Sequence, residues 1–578
     1  MNASSTLRRG AAIAAALALL APAASAQQEA IYSSMDRIHP VFAENGMVAT
    51  QQETATRLGL KVLEDGGNAV DAAATIAFAL AVTLPRAGNI GGGGFMLVHD
   101  AESGETVAID YRERSGENAF RDMYLNEAGE ADEQKSRYSG LAVGVPGTVA
   151  GMAAALEKYG TISLAEAIRP AIELAENGIT VDEDLADSLL ALEERLKAWP
   201  SSEKIFFKEG GDPYEPGDTL VQKDLAESLR LIAEQGPAAF YEGPIAEKIV
   251  AAVEAEDGHL TLDDFKSYEV KMREPVTGDY RGYTIASMPP PSSGGTHIIQ
   301  ILNTVEGDPV KEMGQNSAAT IHLMAEAMKH AYADRSEYLG DPDFVDVPVD
   351  ALTSKDYAKE LRGKIDMARA APAAEIKPAE DLAAYESTET THFSVVDKDG
   401  NAVSNTYTIN FSYGTGLVAE GTGILLNNEL DDFSAKPGVP NAYGLIGGDA
   451  NAVEPNKRPL SSMSPTIVLQ DGRPFLVTGS PGGSRIITTT LQVIMNVIDH
   501  EMNIAEATFA PRVHHQWLPD ELRVEQGLSP DTLELLREKG HEISVDEAMG
   551  STQSIVVREE GLYGYSDPRR AGALTAGH

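Results

Sequence analysis

From Gln52 to Leu84 the apolar positions recur at helical spacing. Ala55, Leu58, Val62 and Leu63 form one stripe that stops at Gly66-Gly67, and Asn68 is placed to cap a second, alanine-rich helix running to Pro85. After Gly91–Gly94 the period shortens. Phe95–Val98 and Thr106–Tyr111 predict two strands joined at a Ser103-Gly104 turn. Helical and extended segments alternate to about Asp366, which predicts an α/β or α+β body without internal repeats. Residues 367–389 break the pattern. Runs such as Ala370-Ala371-Pro372-Ala373-Ala374 and Lys377-Pro378-Ala379-Glu380 carry no apolar period, so this stretch reads as an exposed linker ending at Glu389.

Beyond the linker the chain turns β-rich. Lys398-Asp399-Gly400 suits a three-residue hairpin loop with Gly400 in the left-handed region. Asp397 then faces Asn401, and counting outward sets Thr390 opposite Thr408, to within about one residue. Cross-strand Cβ atoms lie about 4.5–5.5 Å apart, so the hairpin alone carries the Thr408 hydroxyl towards Thr390. A period of two puts Asn410 on the same face as Thr408. From Phe433 to Asn451 glycine and proline are too frequent for regular structure, and the segment reads as a surface loop.

Composition narrows the function. The chain has 578 residues, 43% of them hydrophobic, enough for two domains or one large body. Its net charge of −42, from 88 acidic and 46 basic residues, repels nucleic acid and anionic membrane surfaces. The absence of cysteine removes disulfides, thiolate metal sites and cysteine nucleophiles. Arg8-Arg9, an apolar run from Ala11 to Leu20 and Ala24-Ser25-Ala26 have the order of a secretory signal, residues 1–26. That run is shorter than the ~20 residues a membrane helix needs, as is every other apolar stretch. The expectation is a soluble periplasmic or secreted protein with no membrane anchor once the signal is removed.

The chemistry centres on Thr390. A threonine hydroxyl is a poor nucleophile without a base beside it, and one solution is the residue's own α-amine. That amine exists only if the Glu389–Thr390 bond is cut, and its reference pKa of about 7.7–8.0 suits proton transfer near neutral pH. The alternative is an ordinary strand threonine with Thr408 as its plain cross-strand partner. Gly482-Gly483 likewise reads as a simple turn or as two backbone donors open to a reacting carbonyl. Other signals fail: His500-Glu501 lacks a second histidine at position 504, Asp341, Asp343 and Asp346 read as a capped turn, and no Gly-x-Ser-x-Gly, Walker or dinucleotide fingerprint is present.

Several long motifs, in order, resemble the γ-glutamyltranspeptidase family. They are Asn89–Phe95, Met288–Gly295, Thr390-Thr391-His392, Asn427–Phe433, Pro459–Pro465 and Gly479–Arg485, and the similarity runs from about His39 to the C-terminus. The resemblance implies an α+β fold, the four-layer αββα N-terminal-nucleophile hydrolase sandwich, built jointly by a large subunit (27–389) and a small subunit (390–578) cut from one precursor. It implies Thr390 as nucleophile, oriented by Thr408, with Gly482 and Gly483 as the oxyanion site. It implies Arg112, with Arg114 a weaker rival, and Ser461 and Ser462 for a donor's α-carboxylate. Asn410, Glu429 and Asp432 are implied for its α-ammonium, and Tyr443 as the latch of a lid. The expected reaction transfers the γ-glutamyl group of glutathione or related compounds, through a threonine ester, to water or to amino-acid and peptide acceptors, with no metal or organic cofactor. Two rivals stand: a glutaryl-type acylase on the same scaffold, against which Asn410, Glu429 and Asp432 speak, and a periplasmic binding protein that remains one intact chain.

Overall fold

The computed structural model describes residues 36–376 and 390–578. The expected signal segment and Glu389 lie outside the described residues. From His39 onward the chain builds two seven-stranded antiparallel sheets. One has the order Leu574–Gly577, Met47–Thr50, Thr391–Val396, Ala402–Thr408, Gly93–Asp100, Glu105–Tyr111, Lys271–Arg273. The other runs Val41–Ala43, Gly561–Ser566, Gln553–Arg558, Arg473–Thr478, Thr466–Gln470, Tyr283–Ser287, Val276–Tyr280. Both sheets interleave strands from before and after position 390.

The two-residue period of a strand decides which sheet face meets what. Phe95 and Leu97 join Val396, Ala402, Ile467, Val477 and Ile555 in the core between the sheets. Their neighbours Met96 and Val98, with Phe393, Val395 and Val403, face the other way into a helical layer. That layer contains the helix Ala69–Thr83, all of whose residues are buried. Its predicted cap is present: Asn68 accepts from Val70 and Asp71 while Asp71 bonds back to the Asn68 amide. The second sheet buries Ile285, Val468 and Leu476 against the helices Gly294–Val305, Ala318–Tyr338 and Arg485–Ile498. The layers therefore stack helix, sheet, sheet, helix, as the resemblance implied.

Three expectations need correction. The strand read from Phe95 begins at Gly93, because Gly92 and Gly94 admit the hairpin against their backbone. A Cβ at Gly92 would lie 2.1 Å from the Thr408 carbonyl, and one at Gly94 would lie 2.4 Å from the Tyr407 Cβ. The strand Ala402–Thr408 stops short of Asn410, which adopts a φ of +73°, so the period of two does not extend to it. Finally, the first part of the expected linker is only partly exposed and is anchored to the body. Ala373 is buried, its amide donates to Asp520 and its carbonyl accepts from Trp517 Nε1, while Ala371 is held by Glu326 and Lys329. These polar anchors are invisible to an apolar period.

Candidate active site

The hairpin has the register counted from its loop. Asp397 pairs with Asn401, Gly400 has a φ of +91°, and Val396 through Thr391 pair with Ala402 through Tyr407. One further step brings Thr390 opposite Thr408, with 3.5 Å between their hydroxyl oxygens. Even-numbered residues of both strands face the second sheet. His392 bonds Thr406 (2.8 Å) and Ser394 (3.1 Å), and Ser404 donates to the Thr478 carbonyl. Thr390 and Thr408 share this parity and lie between the sheets. Burial pushes His392 down to about 3, so it stays neutral and serves as a polar spacer rather than a base.

A small cavity joins Thr390 and Thr408 to Arg112, Asn410, Glu429, Asp432, Tyr443, Ser461, Ser462 and Gly483. These residues come from strand ends and loops of distant segments, and the structure gathers them around one hydroxyl. Arg112 follows directly on the strand Glu105–Tyr111 and is fully buried. Its guanidinium bonds Glu429, reaches Asp432 at 2.5 Å and donates to the Pro459 carbonyl at 3.2 Å. The residues expected to hold opposite ends of a zwitterion thus neutralise one another, as buried charges must. Burial pushes Glu429 and Asp432 up from the ordinary carboxylate range, opposed by Arg112. Arg114, the weaker rival, points elsewhere: it bonds the Asp264 carbonyl and the Ser267 hydroxyl.

Asn410 reaches the cavity through its left-handed backbone. Its amide hydrogen bonds Thr408 Oγ1 at 2.9 Å, and its side chain donates to the Asn428 carbonyl at 2.9 Å. Gly482 and Gly483 have φ of +132° and +54°, the first a conformation essentially confined to glycine. Gly483 lines the cavity and Gly482 precedes it. The helix Arg485–Ile498 starts two residues later, and Ile486 in its first turn also lines the cavity. The positive end of that helix therefore lies at the cavity wall. The segment after Phe433 has almost no regular structure, as expected, and its Tyr443 is buried over the site. The Tyr443 hydroxyl donates to the Asn410 side chain, and its ring meets Phe411 edge-on at 6.1 Å. The space enclosed is about 20 Å³, little more than one water needs.

Sequence reasoning missed two charged residues here. Arg335, on the helix Ala318–Tyr338, lines the cavity and donates to Ser293 (3.0 Å) and Ser462 (3.4 Å). Burial lowers it to about 10. The signal was an arginine on a helix buried nearly all round. Glu113 is fully buried with Arg112 at 3.9 Å, and burial pushes it up to about 7.

A sequence profile of the γ-glutamyltranspeptidase family matches residues 55–577. The chain belongs to this family. Among curated relatives, the glutathione hydrolase proenzyme of Escherichia coli (strain K12) is 59% identical over 94% of this chain and 93% of its own length. Among solved structures, the γ-glutamyltranspeptidase of Helicobacter pylori is 48% identical and superposes with a TM-score of 0.57, covering 60% of this chain and 97% of its own. The cephalosporin acylase of Bacillus halodurans is 31% identical with a TM-score of 0.81, covering 95% and 98%. The four-layer N-terminal-nucleophile hydrolase fold is thus common to transpeptidases and acylases, and only the residues around Thr390 can separate their donors.

Proposed function

We propose that this γ-glutamyltranspeptidase works through Thr390, freed as an N-terminal residue by the chain's own cleavage. The protein is a self-processing γ-glutamyltransferase and glutathione hydrolase. In the precursor the Thr390 hydroxyl attacks the Glu389 carbonyl, the peptide nitrogen leaves as the amine, and water opens the resulting ester. The products are a large subunit ending at Glu389 and a small subunit, 390–578. Shared sheets hold them together as a heterodimer. In the mature enzyme the new α-amine takes the hydroxyl proton as Oγ1 attacks the γ-carbonyl of glutathione. Thr408 orients the hydroxyl, and the Gly482-Gly483 backbone with the adjoining helix end stabilises the oxyanion, where one lost donor costs about 2.7–4 kcal/mol of barrier. The departing amine takes a proton. Water, an amino acid or a peptide then takes the γ-glutamyl group from Thr390.

One observation carries the donor specificity: a single cavity holds Thr390 with two buried guanidiniums, those of Arg112 and Arg335, two carboxylates and Asn410. A γ-linked glutamate brings one carboxylate and one ammonium, so it exchanges with the Arg112–Glu429–Asp432 pairs without leaving net charge. Its carboxylate goes to Arg112, Ser461 and Ser462, and its ammonium to Asn410, Glu429 and Asp432. A glutaryl group would leave those carboxylates uncompensated. Tyr443 must swing aside first, because a cavity of about 20 Å³ is too small for any donor. The Arg8-to-Ala26 signal pattern supports export of the mature enzyme, to the periplasm or beyond it. Purified protein tests the reading with γ-glutamyl-p-nitroanilide and glutaryl-p-nitroanilide. Turnover of the first and neglect of the second is the expected result; the reverse preference would make the protein an acylase.

A further inference from the structure

Next to the Thr390 cavity lies a larger cleft of about 690 Å³, within the size of small-molecule sites. Phe411 and Ala442 line it, while their sequence neighbours Asn410 and Tyr443 line the Thr390 cavity. The aromatic pair Phe411–Tyr443 is thus the partition between the two spaces. The cleft also inverts the charge of the protein. Five arginines and three carboxylates line it, in a chain with 46 basic against 88 acidic residues.

Most of these arginines are engaged with carboxylates. Arg86 pairs with Asp184 at 2.9 Å, Arg137 with Glu133 at 2.8 Å and Arg569 with Glu525 at 2.5 Å. Arg195 is different. Its guanidinium donates only to backbone carbonyls, those of Ser412 (3.0 Å) and Gly414 (3.4 Å), and its Nε has no hydrogen-bond partner. No carboxylate of the described residues comes within ion-pair distance of it. The side chain is nevertheless held in place: its stem lies over Gly416, where a Cβ would come within 2.9 Å of Arg195 Cγ, and its head stacks on Tyr138 at 5.7 Å. A half-buried cation fixed in this way, lining a cleft with no carboxylate of the described residues paired to it, is suited to a carboxylate.

We propose that this cleft receives the non-glutamyl part of the substrates, and that Arg195 selects peptides with a free terminal carboxylate. The inference rests on the γ-glutamyl-transfer reading. The departing and incoming amines meet the same acyl carbon, so both peptides extend from Thr390 in the same direction. Two residues span about 7 Å, enough to carry a terminal carboxylate out of so small a cavity.

Steady-state kinetics of the processed enzyme test it with two donors and two acceptors. Arg195→Gln is expected to raise KM for glutathione and for glycylglycine about tenfold or more. Hydrolysis of γ-glutamyl-p-nitroanilide, whose leaving group has no carboxylate, should be unchanged. Wild-type enzyme should prefer glycylglycine to glycylglycinamide; Arg195→Lys should keep that preference and Arg195→Gln should lose it. Equal losses on glutathione and the anilide would overturn the proposal. Equal use of the two acceptors by wild-type enzyme would overturn it as well, whether or not the variants fold. Failure of wild-type enzyme on the anilide would instead refute the transfer reading itself.

Discussion

Arg112 gathers the site's electrostatics on one side chain. Its two terminal nitrogens are committed to Glu429 and Asp432, a fork geometry that an ammonium cannot copy. Arg112→Lys is therefore expected to raise KM for γ-glutamyl donors by between about 10- and 100-fold, with a smaller change in kcat, as steady-state assays would show. Glu113 behaves in the opposite sense. With a folded pKa of about 7, above the ordinary carboxylate value, it keeps a proton that the unfolded chain releases. Stability is then lost as pH rises from about 4.5 to 7. Glu113→Gln removes that loss. Thermal unfolding across this pH range should show the variant gaining on wild type as pH rises, and a constant difference would contradict the assignment. Sequence could suggest Arg112 through its fork and its motif. It could not reveal Glu113 or Arg335, because an isolated charged letter gives no sign of being buried.

At the scale of elements, the hairpin was legible because its loop chemistry is local. Lys398-Asp399-Gly400 fixes the register, and the register fixes Thr408 beside Thr390. The same arithmetic failed two residues later, at Asn410, where the strand ends and the backbone turns left-handed. The linker was misread in its first half for a related reason: Ala371 and Ala373 are held by Glu326, Lys329, Asp520 and Trp517, partners far off in sequence. The proposed lid was legible as irregular chain, but its anchoring of Tyr443 on Asn410 needed coordinates. Tyr443→Ala should open the partition to water and to poorer acceptors. A several-fold rise in hydrolysis relative to transfer, with a flatter acceptor profile, is the outcome expected in a competition assay. An unchanged profile would mean the segment is not a lid.

For the whole molecule, chain order hides the architecture. Met47–Thr50 pairs with both Leu574–Gly577 and Thr391–Val396, so one sheet ties together the start, the end and the middle of the chain. Patterning showed alternating elements; no local rule shows which distant strands adjoin. The consequence is mechanical. Cutting before Thr390 leaves each sheet composed of both fragments, and the fragments cannot part without breaking strand ladders. Processed enzyme should elute as one particle by size exclusion yet run as two bands on a denaturing gel.

The account depends on the chain breaking its own backbone at Thr390. Intact mass and N-terminal sequencing of denatured, purified protein measure this directly, beside a Thr390→Ala variant. The expected result is a fragment beginning Thr-Thr-His-Phe in active wild-type protein, and one uncut, inactive chain in the variant. Fully active wild-type protein that remained a continuous polypeptide, or a variant that was still cut at this bond, would contradict it.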